Sequence, residues 1–197
     1  MTYTVARYQN YQDYIDNCTL SDGDYRLLST GEVIRLPPED DSNLVWAFEL
    51  KLLLAAVPGL RKLIRGNDTE LEVHPVGDRW MNRKPDVMVL QPEHRELFEV
   101  GKYSAVRFGM PAPAFVAELV SPGSESSTNY KRDYIWKRQQ YEWWGIPEYW
   151  IVDRHRAKVT VLLLIDGIYQ ETVYTGEMTI RSASFPTLVV TPNNMLN

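Results

Sequence analysis

Cysteine, histidine and long apolar runs are scarce in this sequence of 197 residues. Its one cysteine, Cys18, excludes an internal disulfide and a zinc site built on several thiolates. The three histidines, His74, His94 and His155, are scattered without ligand spacing, which argues against a His-rich metal centre. No stretch approaches ~18 uninterrupted apolar residues, so no membrane span is expected. Met1 to Asn10 lacks a basic segment followed by an apolar one, so no secretory leader is expected either. There is no Gly-rich phosphate loop, which ranks a phosphohydrolase of small substrates last. Repeats and clear linkers are absent. The expectation is a soluble cytoplasmic protein with a single domain over 1–197, of which 1–23 form an N-terminal arm. A net charge of −5 gives no global pull toward nucleic acid, so such a partner needs a local basic patch.

Two apolar runs stand out against these absences. Pro85 to Leu90 and Ala114 to Ser121 each read as a buried β-strand carrying one carboxylate, Asp86 and Glu118. A buried carboxylate is costly unless it is paired or binds a metal. Two on neighbouring strands suggest a divalent-cation site. The rest of the chain alternates strands and helices. Asp24–Leu28 and Gly31–Leu36 read as a hairpin closed by Pro37-Pro38, and Asp40, Asp41 and Ser42 offer N-caps to a helix reaching Val57. Leu44, Phe48, Leu52 and Ala55 recur there at helical spacing. Thr69–Val76 is a strand candidate, and Gln91–Glu96 reads as a polar loop. A helix from about Asn129 to Trp144 is closed by Gly145. Glu148–Asp153, Lys158–Ile165 and Tyr169–Tyr174 follow as strands, with Asp166-Gly167 turning the last hairpin. The order implies a mixed α/β sheet flanked by helices.

At about 100° per residue, Tyr130, Tyr134, Lys137, Tyr141 and Trp144 share one stripe of the long helix. Lysine avoids such a face unless it snorkels to the rim or meets an acid. Lys137 either snorkels to the rim or reaches across to Asp86 and Glu118, with Asp133, one turn earlier on the flank of that face, placed to orient it as an i,i+4 partner. The oxygen ligands suit Mg²⁺ or Mn²⁺. Such a cation acidifies water, and a nearby lysine offsets phosphoryl charge, which together would hydrolyse a phosphodiester. Lys131, Arg132 and Arg138 form a basic cluster near that helix start, and Arg79, Arg83 and Lys84 precede the Asp86 strand. Beside such a site they would hold a DNA backbone. Trp136 and Trp143 lie off the stripe and point to packing on another element or a second subunit.

The pattern resembles the PD-(D/E)xK nuclease superfamily, the restriction-endonuclease-like fold. Pro85-Asp86 matches its PD element and Glu118-Leu119-Val120 its second element, with valine where lysine is usual. More narrowly it is similar to a large bacterial family of endonucleases in that superfamily. The match runs through Phe115 to Pro122, then Asp133, Lys137 and Tyr141, then Gly145 to Asp153. It covers roughly Tyr25 to Asp166. The resemblance implies that the lysine has moved to the helix, as Lys137. It implies a Mg²⁺ or Mn²⁺ site at Asp86 and Glu118, with the Val120 carbonyl as a further ligand. Glu32, in the Gly31-Glu32 pair, is the third acid it implies, and Glu49 is the candidate from the first helix. Arg26 stands where the family usually has an acid. The implied function is metal-dependent endonucleolytic cleavage of nucleic acid, DNA first, by a homodimer. The alternative is a catalytically inactive binding or assembly module on the same fold.

Overall fold

The structure is a computed structural model and describes residues 4–20, 23–37, 41–101 and 104–196. In chain order its elements are β1 (Thr4–Arg7), α1 (Tyr11–Asn17), β2 (Tyr25–Leu27), β3 (Glu32–Arg35), α2 (Asp41–Ala55), β4 (Ile64–Arg65), β5 (Glu70–Glu72), β6 (Asn82–Arg83) and β7 (Val87–Val89). They continue with α3 (His94–Gly101), β8 (Ala105–Val106), β9 (Phe115–Leu119), α4 (Thr128–Lys131), a π-helical segment (Arg132–Trp136) and α5 (Lys137–Trp144). The chain closes with β10 (Glu148–Asp153), a 3₁₀ turn (Arg154–Arg156), β11 (Lys158–Ile165), β12 (Ile168–Thr175), β13 (Ile180–Arg181), β14 (Val189–Val190) and α6 (Pro192–Leu196).

A six-stranded mixed sheet, ordered β12-β11-β10-β9-β7-β4, forms the centre. Only β9 and β10 run parallel; the other pairs are antiparallel. Its two central strands, β9 and β10, are buried along their whole length, as strands covered on both faces are, and they carry three carboxylates, Glu118, Glu148 and Asp153, into that interior. Strand alternation divides the core. Val87, Val89, Phe115, Ala117, Trp150 and Val152 face α2 and α6. Met88, Val116, Val120, Tyr149 and Ile151 face Tyr141 of α5. A small β1-β3-β2 sheet and a β6-β5-β8 sheet lie beside this core.

The hairpin between β2 and β3 turns at Gly31, whose φ is +84°. A side chain there would also run into the Tyr8 carbonyl, so glycine is required. The β11–β12 hairpin turns on Asp166 and Gly167, with φ of 53° and 81°, the signature of a type I′ turn.

Some expectations shift. The N-terminal arm is built in: β1 pairs with β3, ahead of a helix that starts at Tyr11. Residues 91–96 are not all loop, because α3 begins at His94. The recurring Leu44, Phe48 and Leu52 are the exposed side of α2, Phe48 by 57%, while Asn43, Ala47, Leu50 and Leu54 are buried. Pro38 and Asp40, expected at the hairpin end and the helix cap, lie outside the described residues. No helix among the described residues is long and apolar enough to cross a membrane.

Candidate active site

Strand register builds the site. In the antiparallel β7–β9 pair Val87 stands opposite Ala117. The same register continued by one residue sets Asp86 opposite Glu118. Both are buried, and the Leu119 amide donates to Asp86 Oδ2 at 2.8 Å. Glu118 shares the sheet face covered by α5, and there it meets two donors. Lys137 Nζ lies 3.0 Å from Glu118 Oε2, and the Tyr141 hydroxyl donates to Oε1. Lys137 Nζ also lies 2.8 Å from Asp133 Oδ1, while Asp133 Oδ2 accepts from the Ser121 amide at 3.1 Å. Asp86, Glu118, Asp133 and Lys137 therefore line one cleft at the C-terminal end of β9.

The electrostatics follow from that packing. Burial works against the charge of Lys137, whose side chain is 12% exposed. Asp133, Glu118 and Asp86 outweigh it and hold the ammonium well above the usual lysine range. Lys137 is thus a permanent cation and a hydrogen-bond donor, not a base at neutral pH. Burial, reinforced by Glu118, pushes the Tyr141 phenol well above its ordinary value, so it too remains a donor.

A π turn sets this geometry. The Lys137 amide donates to the Arg132 carbonyl, five residues back, instead of to Asp133. The Asp133 carbonyl, which an α-helix would have used there, accepts from the Tyr149 hydroxyl at 3.3 Å. Widening by one residue departs from a strict 100° repeat. Asp133, which is not a member of the aromatic stripe, is 1% exposed, whereas Tyr130 and Tyr134, which are, are half-buried and stack on each other at 4.4 Å. Tyr134 donates to Asp153 Oδ2 at 2.6 Å, and Asp153 also pairs with Arg156 at 2.9 Å.

The four residues form one side of a cleft of about 410 Å³. Arg26, Trp80, Lys84 and Arg132 line it as well, and so does Asp24. Glu32 is not brought to it. It points instead to Arg7, 2.8 Å away, and accepts from Thr30, on the rim of the small sheet. Glu49 lines a separate hollow with Trp46 and Met195. The Val120 side chain is buried in the core on the α5 side, and Leu119 is the neighbouring strand residue that lines the cleft. Arg138 pairs with Glu171 and the Tyr169 carbonyl, away from the site. Trp136 packs against Gly77 of its own chain, and Trp143 against His74 and Phe108. Sequence reasoning missed Asp24 and Trp80, which carry no periodic signal.

The donor set fits a hard divalent cation in one respect. Asp86 and Glu118 offer carboxylate oxygen only, and Mg²⁺ commonly takes one or two carboxylates and keeps water for the rest. Among the described residues no cluster of three or more acids, histidines and cysteines is arranged to enclose a metal.

A family model described as "Putative restriction endonuclease", Uma2, matches residues 9–193. The chain belongs to the Uma2 family. Its fold is that of the PD-(D/E)xK, restriction-endonuclease-like superfamily. A crystal structure of "a putative nuclease belonging to DUF820 from Anabaena variabilis ATCC 29413" superposes with a TM-score of 0.64 at 14% identity. That likeness covers 94% of this chain and 96% of the other. No curated protein matches. The Uma2 match takes in Asp86, Glu118, Asp133 and Lys137 and the β9-to-β10 block that joins them.

Proposed function

We propose that this Uma2 chain hydrolyses phosphodiester bonds of nucleic acid, DNA in the first instance, and that Mg²⁺ or Mn²⁺ is held by Asp86 and Glu118. The observation that carries the reading is the meeting of Lys137 with Glu118 and Asp133 beside Asp86. A bound cation would supply an acidified water and neutralise phosphoryl charge. The chain's own residues do the positioning. Lys137 offers its ammonium to a non-bridging phosphate oxygen, where charge grows during attack. Asp133 holds Lys137, and the Ser121 amide and Tyr149 hydroxyl hold Asp133. Tyr141 fixes the rotamer of Glu118. Water adds to phosphorus, one ester P–O bond breaks, and the proton lost by the water ends on the departing oxygen, giving a phosphomonoester and an alcohol. The reading takes the Val120 carbonyl as a secondary ligand, the chain as one domain in the cytoplasm, and a homodimer as the form that cuts two strands.

One observation favours a binding module without catalysis: both Glu118 oxygens already accept hydrogen bonds. The two readings separate in one experiment. Purified wild type and Glu118→Gln are incubated with labelled single-stranded and duplex DNA and RNA, with Mg²⁺, Mn²⁺ or EDTA. The nuclease reading expects metal-dependent cleavage by wild type, lost in a folded Glu118→Gln variant. Equal cutting by both would refute the assignment, and calorimetric Mn²⁺ binding with no cleavage would favour the module.

A further inference from the structure

Opposite the carboxylates, three guanidiniums gather round one indole. Arg83 and Arg132 lie 4.7 Å from the Trp80 ring, and Arg26 lies 5.3 Å from it. They come from β2, β6 and the π segment, three elements distant in sequence. Their roles separate by hydrogen bonding. Arg83 is a saturated structural arginine: both terminal nitrogens reach Asp78, and Nε reaches Gln140 at 2.7 Å. Arg26 and Arg132 are not saturated, because the buried Nε of each has no hydrogen-bond acceptor. Arg26 donates to Asp24 and the Tyr25 carbonyl. Arg132 holds Asn129 at 3.2 Å and approaches Asp78 only at 3.5 Å.

The charges do not balance on this wall. Arg26, Arg83, Lys84 and Arg132 have Asp24, Asp78 and Glu70 as their ionic partners. One positive charge is left over, in a chain whose net charge is −5. The surplus belongs to this wall alone, since the facing wall sets Asp86, Glu118 and Asp133 against Lys137; it favours an anion at the arginines and away from the carboxylates. The indole restrains the guanidiniums of Arg26 and Arg132, so less ordering is left to be done on binding.

We propose that Arg26 and Arg132, stacked on Trp80, form a phosphate clamp that grips the strand at a phosphate next to the one being cleaved. The ligand class is a phosphodiester-linked nucleotide chain. The clamp rests on the nuclease reading for its orientation, yet it binds without metal or chemistry, so the two are separable. Lys84, beside Asp24 and Glu70, adds to the field and is not a direct contact.

The test is binding of a short fluorescein-labelled oligonucleotide, by anisotropy in EDTA, to full-length Glu118→Gln protein. Single-stranded DNA, RNA and duplex DNA are the arms that identify the source of the phosphate. Arg132→Gln, added to this background, is expected to weaken binding about tenfold. It should also lower the slope of log K against log salt by about 0.7–0.9, the signature of one lost phosphate contact. Arg132→Lys should restore the slope, since a cation returns, which a merely structural role would not do. Arg26→Gln should behave as Arg132→Gln; if it melts early, the Arg132 pair decides alone. Unchanged affinity and slope in Arg132→Gln would overturn the clamp, as would wild-type protein that binds no oligonucleotide. Arg132-dependent binding without cleavage by wild type upholds the clamp and sinks the nuclease reading. Cleavage indifferent to both arginines does the reverse.

Discussion

Replacing Lys137 by Met removes the one ammonium between Glu118 and Asp133 while keeping much of the side chain's volume. Glu118 is 2% exposed and Asp133 1%, so water cannot take over the lost charge. Removing one partner of a buried ion pair costs about 3–5 kcal/mol, because a buried charge is left uncompensated. Here two contacts, at 3.0 and 2.8 Å, vanish together, which puts the expectation in the upper half of that range. The pH dependence carries a sign. In wild type the Lys137 value lies above the ordinary 10.5, so its stabilisation is complete below 10.5 and is lost only as pH rises through the higher folded value. The variant lacks that alkaline limb. Its deficit should shrink toward low pH, because a neutral acid leaves no uncompensated buried charge. Urea denaturation in EDTA at about pH 8 and about pH 5 measures the size of the loss and its dependence on acid. A cation bound at Asp86 and Glu118 should also recover part of the loss, read by repeating the pH 8 series in Mn²⁺. A loss under about 1 kcal/mol at pH 8, equal at both pH values, would refute the reasoning.

Four further outcomes are expected. Tyr141→Phe leaves Glu118 Oε1 without its donor and should cost about 1–3 kcal/mol by urea melt, with about 10- to 100-fold lower cleavage. Tyr149→Phe strands the carbonyl that the π turn frees and should cost about 1 kcal/mol, with altered amide exchange at Lys137. Gly77→Ala drives a methyl into the Trp136 indole and should lower stability by about 1–3 kcal/mol, seen as an earlier thermal melt. Burial raises the Asp153 carboxyl, but Tyr134 and Arg156 outweigh it and hold it below 3.8, so its stabilisation is present above 3.8 and fades as pH falls through the lower folded value. Asp153→Asn should flatten that acid limb in denaturation curves taken below about pH 4.

Much of the fold was legible where physics is local and repetitive. Glu148–Asp153 and Lys158–Ile165 are strands over the same residues read from their patterning, and Asp166-Gly167 turns the hairpin as its composition demands. A lone carboxylate in each of two apolar runs singled out Asp86 and Glu118, and an out-of-place lysine singled out Lys137; the structure brings these three side chains together with Asp133. What escaped had no periodic signal. β1, β4, β6 and β8 span two to four residues, too short for alternation to register. α2 is apolar on both sides, so helical spacing could not choose between its faces. The π turn depends on a tyrosine from another strand supplying the missing donor, which no window of local sequence contains. Glu32 was placed near the site by resemblance, yet its strand directs it to Arg7. The wall of Arg26, Trp80 and Arg132 exists only in three dimensions, since its members come from three distant parts of the chain.

The central claim is that Asp86 and Glu118 hold the cation on which hydrolysis depends. Anomalous diffraction from crystals soaked in Mn²⁺ tests it most directly. One strong peak is expected within ligand distance of both carboxylates in wild type, and none there in Glu118→Gln. A wild-type map with no peak at the pair, or with Mn²⁺ bound elsewhere in the chain, would contradict it.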